Sequence, residues 1–211
     1  MNTRLLGTPG SSTVLVQMVD DHDLSHIENE YRGIASTCPG RDFSLLTVKV
    51  DAWNHDLSPW PAPPVFGQTP FGDGAPKTFS LLFDTILPQY VSNQTDLYIG
   101  GYSLAGLFAL WAACNCPLFK GVAAVSPSVW FPGFVDYFKA SRPQTGAVYL
   151  SLGGREEMTR NPVMATVGES IRRIHASLSG AGIPCTLEWN EGNHFHKPDV
   201  RMAKGFSWLL N

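Results

Sequence analysis

Three short stretches of this 211-residue chain carry side chains that could do chemistry together. A serine sits in Gly101-Tyr102-Ser103-Leu104-Ala105-Gly106. Two glutamates follow in Gly153-Gly154-Arg155-Glu156-Glu157, and a histidine in Gly192-Asn193-His194-Phe195-His196. A serine hydroxyl is a weak nucleophile until an imidazole takes its proton. The imidazole in turn needs a carboxylate to hold its tautomer and balance the charge it acquires. Serine, acid and histidine in that chain order point to attack on an acyl carbonyl, with Ser103 as the expected nucleophile.

Such a serine must be presented by a strand, a sharp turn and a helix. Leu97, Tyr98 and Ile99 form an apolar run that ends in Gly100 and Gly101, and helical spacing begins at Leu104 and continues through Phe108 and Trp111. A glycine two residues before the serine and a small residue two after it let strand and helix pass closely. The hydroxyl then stands over a helix N-terminus. Ala105 occupies a position where glycine is usual.

The flanking chain alternates between strand and helix patterns. Buried-strand runs are read at residues 14–19, 43–50, 97–99, 121–125, 147–152 and 186–189. The first is followed by a helix with Ser25 and Glu28 spaced as a capping box. Helices are also read at 78–90, near 134–139, from Asn161-Pro162 onward with Val163, Val167, Ile171, Ile174 and Leu178 inward, and at 200–210. Six strands alternating with helices give an α/β fold: a mostly parallel sheet with helices on both faces, in one domain spanning residues 1–211. Residues 51–76 are rich in Trp, Pro and Gly and read as an ordered loop over one end of the sheet. No inserted helical lid follows the strand at 121–125.

In parallel sheets the loops after the C-terminal strand ends form the functional edge. Ser103 lies on one of these, Glu156 and Glu157 on the next but one, and His194 and His196 on the last. His55 also falls on a loop at that edge, whereas His22, His26 and His175 lie near or within helices. His194-x-His196 has no third ligand cluster to make a metal site. An oxyanion hole requires two backbone N–H groups. The Leu104 N–H is one candidate, and Asp21 or His22, in the Asp20-Asp21-His22-Asp23 loop after the first core strand, is the other.

These motifs, with Ser151-Leu152-Gly153-Gly154-Arg155-Glu156, resemble small α/β-hydrolases of the esterase D-like and siderophore (enterochelin) esterase-like group. The likeness runs over nearly the whole chain, residues 14–210. It implies an α/β-hydrolase fold, Glu156 as the triad acid (three residues after the glycine that ends its strand) and His194 as the base. The expected function is a serine carboxylesterase acting on small or aromatic esters through an acyl-enzyme, with no metal or organic cofactor. An acyltransferase on the same triad, or a binding protein that kept the fold without activity, are the competing expectations. The acidic 20–23 loop and Ala105 are the features that favour the last of these.

Composition narrows the partners. A net charge of −3 without a basic block argues against nucleic acid, and no apolar run is long enough to span a bilayer. The polar first 12 residues lack the apolar core of a secretion signal, and Cys38, Cys114, Cys116 and Cys185 have no metal-ligand spacing. A cytoplasmic protein with reduced thiols and a small-molecule ester substrate is therefore expected; oligomeric state is not legible. Trp53, Trp60, Phe66, Trp130 and Phe195 fall on loops expected to border Ser103, and Tyr102 adjoins it. They are candidate substrate-binding residues, or simply aromatics that stiffen those loops.

Overall fold

The structure, a computed structural model, describes residues 1–211. Strands β1 (Thr3–Gly7), β2 (Thr13–Val19), β3 (Ser44–Lys49), β4 (Asp96–Tyr102), β5 (Phe119–Val125), β6 (Ala147–Gly153) and β7 (Cys185–Asn190) form one sheet, ordered β1-β3-β2-β4-β5-β6-β7. Every neighbouring pair is parallel except β1 with β3, which is antiparallel. The sheet therefore has seven strands, not six. The additional strand is the polar N-terminal edge strand, whose half-exposed sequence Thr-Arg-Leu-Leu-Gly carries little hydrophobic signal.

Parallel neighbours need crossovers, and helices supply them on both faces. On one face α1 (Asp21–Thr37) and α7 (Pro198–Leu210) pack together, with Ile27, Ile34, Met202 and Phe206 against Leu15 and Val125 of the sheet. On the other face lie α3 (Ala75–Leu81), α4 (Leu104–Asn115), α5 (Phe134–Ser141) and α6 (Val167–Gly180), which share the larger core cluster with Val16, Ile99 and Val122. Strands covered on both sides must be apolar nearly throughout. Val14, Leu15, Val16, Met18 and Val19 accordingly are all buried.

Helix ends differ in detail from the sequence reading. The α1 capping box is Asp20 with Asp23, each side chain accepting from the other's backbone N–H (2.8 and 3.3 Å). Ser25 and Glu28 lie inside the helix, and the Ser25 hydroxyl donates to the His22 carbonyl (2.6 Å). The acidic stretch after β2 is thus the first turn of a helix. The helix expected at 78–90 begins at Ala75, widens through a π-helical turn (Leu82–Ile86) and then tightens into a 3-10 turn (Leu87–Gln89). The helix expected from Asn161-Pro162 begins only at Val167, after a 3-10 turn at Met164–Thr166; the Asn161 side-chain oxygen accepts from Val163 and Met164 N–H (3.0 and 3.2 Å) in the turn before it. Val163 is exposed, however, while Val167, Ile171, Ile174 and Leu178 are buried.

The segment between β3 and α3 is ordered by its own backbone. It contains α2 (Trp53–Asp56) and an antiparallel bridge between Ala62 and Phe71. Gly72 and Gly74 N–H groups bond back to the Asn54 and His55 carbonyls (3.1 and 2.9 Å). Only residues 126–133 link β5 to α5, with no lid inserted there. No helix is long and apolar enough to cross a membrane.

Candidate active site

Ser103 stands between β4 and α4 at φ 57° and ψ −121°, a conformation that L-residues avoid because of the Cβ clash. Two close approaches hold it there. A Cβ on Gly101 would collide with the backbone of Ala105, and one on Gly106 would meet the Gly101 carbonyl oxygen at 2.8 Å and Pro127 at 3.2 Å. The strand and helix are therefore in contact at Gly101, and the Ala105 methyl is accommodated. The Ser103 N–H donates to the Val125 carbonyl (3.1 Å), and its carbonyl accepts from Ser128 N–H (3.0 Å) and Leu107 N–H (3.2 Å). These bonds tie the turn to the end of β5.

His194 Nε2 lies 3.1 Å from Ser103 Oγ, and its Nδ1 lies 2.7 Å from Glu156 Oε2. The three side chains come from loops after β4, β6 and β7, in a continuous line. Ser103 is partly exposed and His194 a quarter exposed, whereas Glu156 is buried. Burial works to raise the Glu156 carboxyl. Bonds from His194, the Ser126 hydroxyl and the Gly153 N–H (2.7 Å) outweigh it, and Glu156 is held below the ordinary carboxylate range. A Cβ on Gly153 would meet Glu156 Oε1 at 3.0 Å and the Asn193 carbonyl at 3.1 Å. The glycine ending β6 thus leaves room for Glu156 and for the loop that carries His194.

Glu157 points elsewhere, its carboxylate paired with both terminal nitrogens of Arg172 on α6 (3.0 and 3.1 Å). The other edge histidines are likewise removed from Ser103: His55 contacts Asp56 (2.9 Å) and Asp73, and His196 folds over Gly192.

Two cavities meet at His194 and Phe195. The larger, about 430 Å³, is lined chiefly by Trp130, Met158, Met164, Val167 and Phe195, with Arg155 and Thr159 at its sides. The smaller, about 220 Å³, holds Ser103 together with Asp20, His22, Asp23, Trp53 and Tyr102. Phe195 is 82% exposed and packs edge-on against the His194 ring (centroids 5.3 Å apart). Trp53, Trp130, Tyr102 and Phe195 therefore all border the site.

Trp60 does not, and lines neither cavity. Its indole N–H donates to the Pro132 carbonyl (2.9 Å), and its ring packs on Phe131, Phe134 and Tyr137. Proline-flanked tryptophan here stiffens the loop. Phe66 packs on Phe71 and Trp130 at the rim.

Leu104 is the first residue of α4 and Asp21 and His22 the first two of α1, positions whose N–H groups have no intrahelical acceptor. His22 lines the smaller cavity. Asp21 does not: its exposed carboxylate pairs with Lys49 (2.9 Å). Asp20, His22 and Asp23 offer ligand atoms within 4.8 Å of one another, but both carboxylates are already engaged in the α1 capping box.

Three residues of the site have no sequence-level expectation. Arg201 of α7 is only 2% exposed and contacts Glu156 Oε1 (3.1 Å), the Ser126 hydroxyl and the Tyr102 hydroxyl (2.8 Å). Ser126, at φ 44°, donates to Glu156 Oε1. Ser128 Oγ lies 3.3 Å from Ser103 Oγ. The only cue to Arg201 is a cation among the apolar residues Val200, Met202 and Ala203.

The sheet order, the strained serine between strand and helix, and the serine–acid–histidine order together define the α/β-hydrolase fold. Solved structures bear this out. Siderophore hydrolase EstA from Aspergillus nidulans superposes with a TM-score of 0.70 at 18% identity, covering 95% of this chain and 83% of that one. A ferulic acid esterase does so with a TM-score of 0.64 at 12% identity, covering 95% of this chain and 84% of that one. By sequence, the uncharacterized protein YbbA of Bacillus subtilis (strain 168) is 24% identical over 151 residues, 65% of this chain. That match spans 60% of the length of YbbA. No protein-family model matches the chain.

Proposed function

We propose that this protein is a serine esterase that cleaves small or aromatic carboxylic esters through an acyl-enzyme. The observation that carries the reading is the line from Ser103 Oγ through His194 to Glu156, at 3.1 and 2.7 Å, on a strained turn that has no other evident use. His194 Nε2 accepts the Ser103 proton as Oγ attacks the ester carbonyl. Glu156, held ionised, accepts a hydrogen bond from Nδ1–H and stabilises the imidazolium. The imidazolium then protonates the departing alkoxide. Water enters, gives its proton to the same Nε2 as it attacks the acyl carbon, and the imidazolium returns that proton to Ser103 Oγ as the acid leaves.

The oxyanion is stabilised by the Leu104 N–H at the start of α4 and by the His22 N–H at the start of α1, each aided by its helix dipole. His22 is preferred to Asp21 because it borders the Ser103 cavity. The larger cavity is apolar and aromatic, which suits the acyl or aromatic half of the ester. Ferulic acid esters, named for one protein of this fold, fall in that class, and another is named a siderophore hydrolase. The chain acts as a single catalytic domain and requires no metal for this chemistry.

A fluorophosphonate probe tests the reading. The native protein should be labelled once per chain and lose nitrophenyl-ester hydrolysis in proportion, and Ser103→Ala should take no label. Native protein that resists the probe, or equal labelling of the variant, overturns it.

A further inference from the structure

A guanidinium is rarely taken out of water, because the desolvation cost is recovered only through close, charge-matched partners. Arg201 is nonetheless buried beneath the proposed triad. One terminal nitrogen, Nη2, meets the Ser126 hydroxyl and Glu156 Oε1 (3.1 Å). The other, Nη1, donates to the Tyr102 hydroxyl (2.8 Å) and approaches the Asn193 carbonyl (3.5 Å). Tyr102 passes its own hydroxyl hydrogen to the His194 carbonyl (2.6 Å). One side chain on α7 is thus bonded to the acid on one side and, through one tyrosine, to the backbone of the base on the other.

We propose that Arg201 is a positioning residue for the acid–base pair: it locks Glu156 so that only Oε2 faces His194, and its charge opposes proton uptake by the pair. This rests on the reading of Ser103, His194 and Glu156 as an esterase triad. Glu156 Oε1 is saturated by Ser126, Gly153 N–H and Arg201, so rotation of the carboxylate would break three bonds at once. The charge argument follows from burial. With Arg201, the buried Glu156 carboxylate is matched by a buried guanidinium 3.1 Å away. Without it, a lone buried carboxylate would remain, and protonating His194 would be the cheapest way to neutralise it.

Besides Arg155, the chain neighbour of Glu156, the charged and titratable groups facing His194 are Asp20, His22 and Asp23 across the smaller cavity. Asp23 of α1 and Glu188 of β7 face the same polar layer, and Glu188 is paired with Lys204 of α7 (2.6 Å). Asp199 lies in the first turn of α7. None of them contacts Glu156 directly.

The test compares Arg201→Gln and Arg201→Lys with the native protein by two readouts: kcat and KM against pH, and titration of the His194 ring by NMR of 15N-histidine-labelled protein. In Arg201→Gln, kcat should fall by about tenfold or more with KM within about threefold. The acid limb of kcat/KM and the His194 titration should both move up by about one pH unit. Arg201→Lys, which keeps the charge, should leave both midpoints near the native values while recovering only part of kcat. Native-like midpoints and kcat in Arg201→Gln overturn the proposal. So does a loss that is the same in both variants and follows thermal stability alone.

The NMR titration needs no turnover, so it separates this proposal from the esterase reading, which the fluorophosphonate probe decides by itself. Should Arg201→Gln not fold, Tyr102→Phe tests the positioning link. It should lower kcat severalfold with the His194 titration unmoved, and an unchanged kcat would overturn the link.

Discussion

Tyr102 and His194, 92 residues apart in the chain, are joined by a hydrogen bond of 2.6 Å from the tyrosine hydroxyl to the histidine carbonyl. The residue that precedes Ser103 thus holds the loop that carries His194. Burial pushes the phenol up to about 12, against the pull of Arg201, so it keeps its proton and remains the donor across the working range. Serine and histidine are coupled through backbone as well as through the 3.1 Å contact between their side chains.

The two glutamates of the β6 loop should separate cleanly. Glu156→Gln should lower kcat by about 10³–10⁴-fold, the scale of losing a triad acid. Glu157→Gln should leave kcat within about twofold and cost less than about 1 kcal/mol, since its pair with Arg172 is partly exposed to solvent. Ester hydrolysis with thermal melting of each variant checks both, and a large rate loss in Glu157→Gln would transfer the role.

Contact at the strand–helix crossing makes the two small residues of the motif unequal. Gly101→Ala forces a methyl into the Ala105 backbone and should cost about 1–3 kcal/mol together with most of the activity. Ala105→Gly removes a methyl that already fits and should cost about 1 kcal/mol through helix propensity alone. Denaturant unfolding of the pair measures the difference.

Two aromatics expected at the site should part company. Phe195→Ala removes an exposed ring from the wall between the cavities; stability should change by less than about 0.5 kcal/mol. KM for aromatic esters should rise severalfold. Trp60→Ala should cost about 2 kcal/mol or more by emptying a half-buried aromatic cluster, with KM little changed.

Asp23 gives a pH dependence of stability. Its carboxyl is pushed from 3.8 up to about 6, first by burial and then by Asp20. The folded state therefore binds this proton more tightly than the unfolded chain does, and stability is lost as pH rises from about 4 through 6. Asp23→Asn, which keeps an oxygen for the Asp20 N–H, should stabilise the protein by about 1–2 kcal/mol above pH 6 and by nothing below pH 4. The same charge shares a cavity with Ser103, so the variant should also raise kcat/KM at neutral pH. Melting and kinetics across pH 4–8 measure both effects.

The central strands and the serine turn were legible because their residues obey one rule at a time: two-sided burial makes β2 apolar at every position but Thr13 and Gln17, and close crossing makes position 101 glycine. Other elements obey a rule that competes with a louder one. Asp20 caps α1, yet four polar residues in a row read as a loop, and Ser25 with Glu28 repeats the capping spacing inside the helix. β1 is an edge strand with one wet side. Trp60 sits among prolines like a pocket residue but is spent on Phe131 and Tyr137. Arg201 was out of reach because a cation on an amphipathic helix ordinarily faces water, and only the folded Glu156 explains why this one does not.

The place of Arg201 on α7 also bears on the birth of the molecule. A chain made from its N-terminus lays down Ser103, Glu156 and His194 before this arginine. Until α7 docks against α1 and covers the sheet, the carboxylate lacks its clamp and the histidine loop lacks its tether. A nascent chain would thus carry the reacting groups but not their alignment until α7 is in place.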